Sequence, residues 1–317
     1  MTTSLQPLLD AIATLAPQPA EAHRVFHGRG GLHPGCEHLA LDAYPPVWLL
    51  TSFSQSLSEA ELAEIHNALS ERCGPALSWA YQFRHEGRSE TRLMAGSLPE
   101  PHIVGEQGAR YLVHLLRGQN HGLFLDMAEG RRWVRACLAS WPDKRRLKVL
   151  NLFAYTCAFS VVALRAGATQ VVNVDMSDGA LAIGKKNHQL NGLTAAPGMG
   201  TASFLPHDIF TSWGKIGRAG PYELIIVDPP SFQKGSFVAT KDYARLMRRL
   251  PELLMPGGQA LLCLNTPKLD LAFLQEQMQE LAPALRFVER VTNPAAFADV
   301  DEQRSLKVLV YQAPALG

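Results

Sequence analysis

The chain has 317 residues, of which 47% are hydrophobic and 19% charged. This composition supports a large buried core, and the length predicts two domains. The formal net charge is only +1, so the overall charge does not indicate nucleic-acid binding.

The sequence indicates neither a membrane span nor a zinc site. No stretch approaches the roughly 20 consecutive apolar residues that a bilayer requires. The first residues also lack a charged start before an apolar segment, so we expect a soluble cytoplasmic protein. The five cysteines stand far apart and form no CxxC pair, which favours buried thiols over a metal site.

The first part of the chain predicts a small α+β module. A glycine- and histidine-rich stretch, VFHGRGGLHPG at 25–35, precedes an expected strand from Val47 to Phe53. A helix is expected from Ser58 to about Arg72, because Ser58 and Glu61 have the capping-box spacing. The helix would bury one apolar face made of Leu62, Ile65 and Leu69.

We place a boundary after residue 117, where an alternating pattern near Tyr111 predicts a strand that closes the module. Residues 1–117 would recognise the substrate, and residues 118–317 would form the second domain. The histidines of the module either share in that recognition or lie in its loops.

From Leu147 onward, short apolar runs alternate with helical segments, which is typical of parallel sheets with crossover helices. The expected strands are KVLNLF, VVNVD, ELIIVD and QALLCLN, followed by RFVERVT and SLKVLVYQ. Helices are expected near 159–166, 178–191 and 241–254. The predicted fold is therefore α/β, a doubly wound Rossmann-like domain after a small α+β domain.

Positive charge is concentrated in one run, where seven basic residues stand against Asp143 alone: Arg131, Arg132, Arg135, Lys144, Arg145, Arg146 and Lys148. Such a run could follow the phosphates of a nucleic acid. It could equally be a solvated helix face with the loop that follows it.

An acidic residue ends the second predicted strand, at the sheet edge where doubly wound folds bind ligands. Asp175 can accept hydrogen bonds from the ribose hydroxyls of a nucleoside cofactor, although such residues also cap helices. A dinucleotide would require glycines near its pyrophosphate, and none occurs between Asn151 and Arg165. S-adenosylmethionine has no phosphate, so the pattern favours a methyl donor over NAD.

A more specific signal follows the fourth strand, in the stretch Asp228-Pro229-Pro230-Ser231-Phe232. The two prolines fix their φ angles and remove two N–H donors, so a rigid loop would present carbonyl oxygens and the Asp228 carboxylate. These acceptors can hold the edge of a base, and Phe232 can stack on an extruded ring. The alternative is a structural turn with a core phenylalanine.

These residues resemble the bacterial 23S rRNA methyltransferases that join a small N-terminal module to a class I methyltransferase domain. The similarity is best to the guanine-N7 enzyme that forms one half of a fused large-subunit methyltransferase. It is carried by GLFLDMAEGRR (122–132), VLNLFAYT (149–156), VNVDMS (172–177), NHQLNGL (187–193), IIVDPPSF (225–232) and PGGQALLCLN (256–265).

The resemblance implies that S-adenosylmethionine is bound by Asp126, Asn151, Phe153, Tyr155, Thr156, Asp175, Met176, Asp208 and Asp228. In it, Asp208 would contact the adenine amine and Asp126 would help to close the site. The implied catalytic residues are Asp228, Pro229, Pro230, Phe232 and Asn265. The chain departs from the family at Cys157 and Ala158, where glycines are usual, and at Ala128, where arginine is usual.

The predicted reaction is methyl transfer to a nucleobase nitrogen in RNA, with 23S rRNA guanine as the acceptor and with no membrane or metal as a partner. Cytosine carbon-5 methylation would need a cysteine nucleophile, and the family position for it is occupied here by Asn265. Cys263 lies two residues earlier and keeps that alternative open. A protein or small-molecule methyltransferase and a cofactor-binding domain without catalysis also remain.

Overall fold

The computed structural model describes residues 5–194, 200–230, 232–233 and 237–315, with only the backbone described at 232–233. The chain divides into two compact units. The N-terminal unit comprises residues 1–126 and 294–302, and the C-terminal unit comprises residues 127–293 and 303–317. The division falls somewhat later than residue 117, and a short segment near the C-terminus returns to the first unit.

In the described part of the N-terminal unit, five strands form a sheet in the order β1-β2-β3-β4-β5. The strands β3 and β4 are parallel and the other pairs are antiparallel. A separate hairpin joins β6 to β7. The elements are α1 (Gln6–Thr14), β1 (His23–His27), β2 (Leu39–Tyr44), β3 (Val47–Phe53), α2 (Glu59–Cys73), β4 (Ser78–His85), β5 (Arg88–Ala95), β6 (His102–Glu106) and β7 (Ala109–Val113).

The two helices of this unit pack on one face of the sheet. The capping box predicted at Ser58 is present, with the Ser58 side chain accepting from the Glu61 N–H and the Glu61 carboxylate accepting from the Ser58 N–H. As expected, the apolar face of α2 is buried. It shares a core with Leu8 and Ile12 of α1.

The described strands of the C-terminal unit form a seven-stranded sheet in the order β10-β9-β8-β11-β14-β16-β15. All neighbouring strands are parallel except β16, which is antiparallel to both of its neighbours. The strands are β8 (Lys148–Leu152), β9 (Gln170–Asp175), β10 (Thr201–Pro206), β11 (Tyr222–Val227), β14 (Leu254–Leu264), β15 (Arg286–Arg290) and β16 (Lys307–Gln312), with β12 (Phe232–Gln233) and β13 (Phe237–Val238) paired outside the sheet.

Helices cover both faces of this sheet, which confirms the predicted doubly wound α/β fold. Alternating strand residues such as Val149 and Leu150 enter two different cores. The helices are α3 (Ala128–Ala139), α4 (Ala158–Arg165), α5 (Asp178–Leu190), α6 (Trp213–Ala219), α7 (Ala239–Met247), α8 (Leu250–Leu253) and α9 (Leu271–Leu281). Within the described residues, none of the helices combines the length and apolar character needed to cross a membrane.

Two elements differ from the expectation. The single helix expected at 241–254 is two helices, α7 and α8, separated by a turn at Arg248 and Arg249. Pro251 lies in the first turn of α8, because proline fits the first turn of a helix but not its interior. The strand β10 was not among the apolar runs, since it is an edge strand whose residues are only partly buried.

Candidate functional site

The carboxyl ends of β10, β9, β8, β11 and β14 lie side by side in the C-terminal unit. The strand order reverses beside β8, because β9 and β10 lie on one side of it and β11 on the other. Ligands of doubly wound sheets bind at such a reversal. The edge brings together residues that the sequence predicted separately: Asp208 after β10, Asp175 at the end of β9, 153–156 after β8, Asp228 after β11 and Asn265 after β14.

The loop after β8 has an unusual backbone. Phe153, Tyr155 and Cys157 have positive φ angles of 56°, 46° and 61°. Each such conformation costs a non-glycine residue about 1–2 kcal/mol. The loop can persist only because the surrounding structure holds it.

Three sets of hydrogen bonds hold that loop. The Tyr155 N–H donates to Oδ2 of Asp175 over 2.8 Å, and Nδ2 of Asn187 donates to the Thr156 carbonyl over 2.9 Å. The Ala154 N–H donates to the Val174 carbonyl, and its own carbonyl accepts from the Cys157 N–H. The loop is therefore fixed by β9 on one side and by α5 on the other.

A buried polar chain lies beneath the loop. Asn151 donates to Asn173 over 2.9 Å, and Asn173 donates to the Ser160 hydroxyl over 3.0 Å. That hydroxyl lies 2.9 Å from Nε2 of His188, whose Nδ1 is 2.7 Å from the Gly184 carbonyl. Burial lowers the pKa of His188, so the neutral ring donates through Nδ1 and accepts at Nε2.

The hydrogen bond to Asn173 changes the role expected of Asn151. Its side chain is 1% exposed and is bonded to Asn173, so it supports the loop from within the core, and direct contact with a ligand does not fit. The motif NHQLNGL pointed to the region, but the roles of Asn187 and His188 were not predicted. They depend on helix α5 meeting the loop after β8.

The carboxylate of Asp175 is half-buried and accepts from the N–H groups of Tyr155 and Ser177, both over 2.8 Å. A carboxylate has about four acceptor positions, so ribose hydroxyls can still bind. Met176 beside it is 55% exposed. Asp208 is half-buried and caps the turn that begins at Ile209, with Oδ1 accepting from the Phe210 N–H.

The ends of β11 and β14 form the other half of the edge. Asp228 and Pro230 are half-buried, Pro229 is buried, and Asn265 is exposed. Behind them the Tyr243 hydroxyl donates to the Cys263 carbonyl. Burial raises the pKa of Tyr243, with added effects from Cys263 and Asp228, so this phenol stays protonated.

Comparison with known proteins decides the family. A model of S-adenosylmethionine-dependent methyltransferases matches residues 23–312, which is most of the chain. The chain belongs to that family. Its cofactor is S-adenosylmethionine.

Two curated relatives act on ribosomal RNA by name. Ribosomal RNA large subunit methyltransferase I of Aeromonas salmonicida is 33% identical over 55% of this chain and 43% of its own length. Ribosomal RNA large subunit methyltransferase K/L of a Psychrobacter species is 34% identical over 60% of this chain and 23% of its own. This chain therefore spans less than half the length of these relatives.

A solved structure extends the similarity to the whole chain. SMU.776, a candidate methyltransferase complexed with SAH, is 25% identical and superposes with a TM-score of 0.79. The match covers 97% of this chain and 79% of that one. The doubly wound fold and the S-adenosylmethionine-dependent methyltransferase activity class predicted from the sequence are both confirmed.

The residues at the sheet edge fit the cofactor of the family. Asp175 offers acceptors for ribose hydroxyls, and the exposed Met176 offers an apolar surface to a flat ring. The glycines usual in the family are replaced at Cys157 and Ala158, yet Cys157 still adopts the left-handed conformation that glycine favours. Glycine would adopt this backbone conformation at a lower conformational cost than Cys157 does.

Neither cysteine near the site is positioned as a nucleophile. Cys263 is fully buried and packs with the α3 side of the sheet. Cys157 is also fully buried, and burial together with Asp175 raises the pKa of its thiol well above the usual range. A cysteine nucleophile must ionise to the thiolate and must be accessible to the base that it attacks.

Two predicted site residues stay predictions. Asp126 belongs to the N-terminal unit. Of Phe232 only the backbone, in β12, is described, so its expected stacking lies outside the described residues, as does Ser231.

The basic run does not form one surface. Arg131 is buried, Lys148 lies in β8 and donates to the Ala219 carbonyl, and Arg145 pairs with Asp143 over 2.9 Å. Arg132 pairs with Glu129. The exposed members are Arg132 on α3 and Lys144, Arg145 and Arg146 in the turn before β8. A contribution of the run to RNA binding stays a prediction.

Proposed function

We propose that this protein transfers the methyl group of S-adenosylmethionine to a nucleobase nitrogen in RNA, and that a guanine of large-subunit rRNA is the acceptor. One observation carries the proposal. Asp228 and Asn265 follow adjacent strands at the edge that also holds Asp175, and both cysteines nearby are buried. The names of the curated relatives support rRNA as the substrate class.

The cofactor supplies an activated methyl group on a sulfonium, and the protein positions the acceptor. Pro229 and Pro230 stiffen the loop, so that Asp228 and its neighbouring carbonyls stay in place. The Asn265 amide can donate to and accept from a purine edge.

A ring nitrogen attacks with its lone pair, so a carbon–nitrogen bond forms as the carbon–sulfur bond breaks. Guanine nitrogen-7 carries no proton, so no base is needed. For an exocyclic amine, Asp228 would orient the N–H and accept its proton.

Nucleoside mass spectrometry tests the proposal. Purified protein, S-adenosylmethionine and rRNA from a strain lacking the protein should yield a methylated guanosine. Asp228→Ala should lower kcat/KM by about a hundredfold or more, because positioning provides much of the barrier reduction. Cys263→Ala should leave it within several-fold. The assignment to nitrogen fails if 5-methylcytidine is formed, or if Cys263→Ala abolishes transfer in a protein that is still folded.

A further inference from the structure

The stretch VFHGRGGLHPG contains the end of β1 and the tight turn that follows it. Arg29 lies in a single 3-10 turn, Gly28–Gly30. A Cβ at Gly28 would lie 1.8 Å from the Cys36 carbonyl oxygen, and one at Gly30 would lie 2.0 Å from that of Ala298. The glycines allow this close packing, and the turn presents Arg29, the one long side chain in it, to solvent.

Arg29 lies in a cluster with two other arginines, Arg24 and Arg84. The guanidinium carbon of Arg29 lies 4.1 Å from the centre of the Phe53 ring, and that of Arg84 lies 5.4 Å from the same ring. Phe53 and Arg84 are partners on the parallel strands β3 and β4. Both guanidinium groups therefore contact one ring, and the charge of Arg29 acts on Arg84.

The cluster is not neutralised by its neighbours. Asp42 is engaged by Arg24, through Nε to Oδ1 over 2.7 Å and Nη2 to Oδ2 over 2.9 Å. Asp126 also attracts Arg24 and Arg29. Three arginines therefore face two carboxylates, and the Arg29 and Arg84 side chains form no salt bridge within the described part of the chain.

Two neutral histidines complete the surroundings. Arg24 donates to Nδ1 of His27 over 2.8 Å, and Nη2 of Arg84 lies 3.3 Å from Nε2 of His121. Burial and the adjacent arginines lower the pKa of both histidines to about 4. They accept hydrogen bonds from the arginines without adding a negative charge.

The Arg84 and Arg29 side chains differ in how many N–H donors remain available to a ligand. Arg84 is anchored by Gln82, the Gln119 carbonyl and His121. Arg29 is exposed and donates no side-chain hydrogen bond to any residue that the structure describes. A guanidinium stacked on a ring keeps its N–H donors at its rim, in a fork that matches two oxygens of a phosphate.

We propose that Arg29 and Arg84, held against Phe53, bind a backbone phosphate of the RNA substrate. This inference rests on the proposed function for its ligand. An exposed site with an excess of arginine suits a phosphodiester, which carries one charge and continues along the surface. Because the whole chain is nearly neutral, its affinity for a polyanion must come from such local clusters.

The test compares Arg29→Gln with Arg92→Gln in the full-length protein. Arg92 lies on β5, in the sheet that contains Phe53 and Arg84, is also exposed, and pairs with Glu59 over 3.1 Å. Each of the two variants removes one positive charge from an exposed arginine. Fluorescence polarisation would measure binding of a short labelled single-stranded RNA over a series of KCl concentrations.

Arg29→Gln should weaken binding about tenfold and reduce the slope of log K against log[KCl] by about 0.7 to 1. Arg92→Gln should leave the slope unchanged. Arg29→Lys should restore the slope but not the full affinity, because an ammonium cannot form the fork. Thermal melting should show that all three variants fold.

Equal slopes for the wild type and Arg29→Gln would overturn the inference, as would an equal loss in Arg92→Gln. Pyrophosphate serves as a second probe. If Arg29→Gln loses pyrophosphate binding while its RNA slope is unchanged, the ligand is a free phosphate compound and the RNA assignment is wrong. Methyl transfer by the wild type is measured in parallel, so failure of the phosphate site and failure of the proposed function give different results.

Discussion

Asp175 holds two backbone turns in place, and we predict that the same carboxylate binds the ribose of the cofactor. It accepts hydrogen bonds from two backbone N–H groups, in the turns after β8 and β9, and retains lone pairs for a ribose. Asp175→Ala should raise the Kd for S-adenosylmethionine ten- to a hundredfold, about 1.5–3 kcal/mol. Asp178→Asn, a substitution of an exposed residue at the start of α5, should leave that Kd unchanged. Calorimetry would distinguish them, and unchanged affinity in Asp175→Ala would exclude Asp175 as a ribose contact.

At the residue scale, Asp175, Asp228 and Asn265 could be predicted because strand ends are recognisable in a sequence and parallel strands bring their ends to one edge. Asn151 belongs to the same motif, but its side chain points into the core. A motif does not state which of its members face a ligand, since this depends on what packs beneath them.

At the scale of elements, helix α5 bears directly on the loop after β8. A Cβ at Gly184 would lie 2.5 Å from Sγ and 3.0 Å from Cβ of Cys157. Gly184→Ala should therefore displace the loop, destabilise the protein by about 1–3 kcal/mol and weaken S-adenosylmethionine binding several-fold.

Gly179 of the same helix provides the matched control. A Cβ at Gly179 would have Oγ of Ser177 as its nearest neighbour, 4.0 Å away, so Gly179→Ala should stabilise the helix by about 0.5–1 kcal/mol. Urea unfolding and calorimetry measure both variants. Adding Cys157→Ala to Gly184→Ala should recover part of the stability. If Gly184→Ala behaves like Gly179→Ala, the contact does not constrain the loop.

Regular elements were predictable where burial and periodicity coincide, as in β3, α2 and the central strands of the second sheet. The edge strand β10 and the break between α7 and α8 were missed, because half-buried residues produce weak alternation and a one-turn interruption leaves the helical pattern nearly intact.

At the scale of the whole molecule, His121 links stability to pH. Burial and Arg84 lower its pKa to about 4, against about 6.5 in the unfolded chain. Between those values the unfolded state binds a proton that the folded state does not. The free energy of unfolding should therefore fall as pH drops through this window, by up to about 3 kcal/mol from His121, and be fully retained above it.

Urea unfolding across that range tests this expectation. His121→Gln should make the pH dependence shallower, because glutamine keeps an acceptor for Arg84 but does not titrate. The part that comes from His27, whose pKa is also lowered to about 4, should remain. His85→Gln, a change at an exposed histidine, should follow the wild type. Parallel curves for all three proteins would show that His121 does not carry the effect.

Hydrophobic periodicity and strand-end acids are local properties of a chain, so they were enough to predict the doubly wound fold, the methyltransferase family and the strand ends that meet at the candidate site. The packed structure was needed to show which polar residues support the loop after β8, that Cys157 and Cys263 are buried, and that Arg24, Arg29 and Arg84 meet. Those arrangements join residues distant in sequence, and the burial, charge and hydrogen bonding that define them arise only when separate strands and helices pack together.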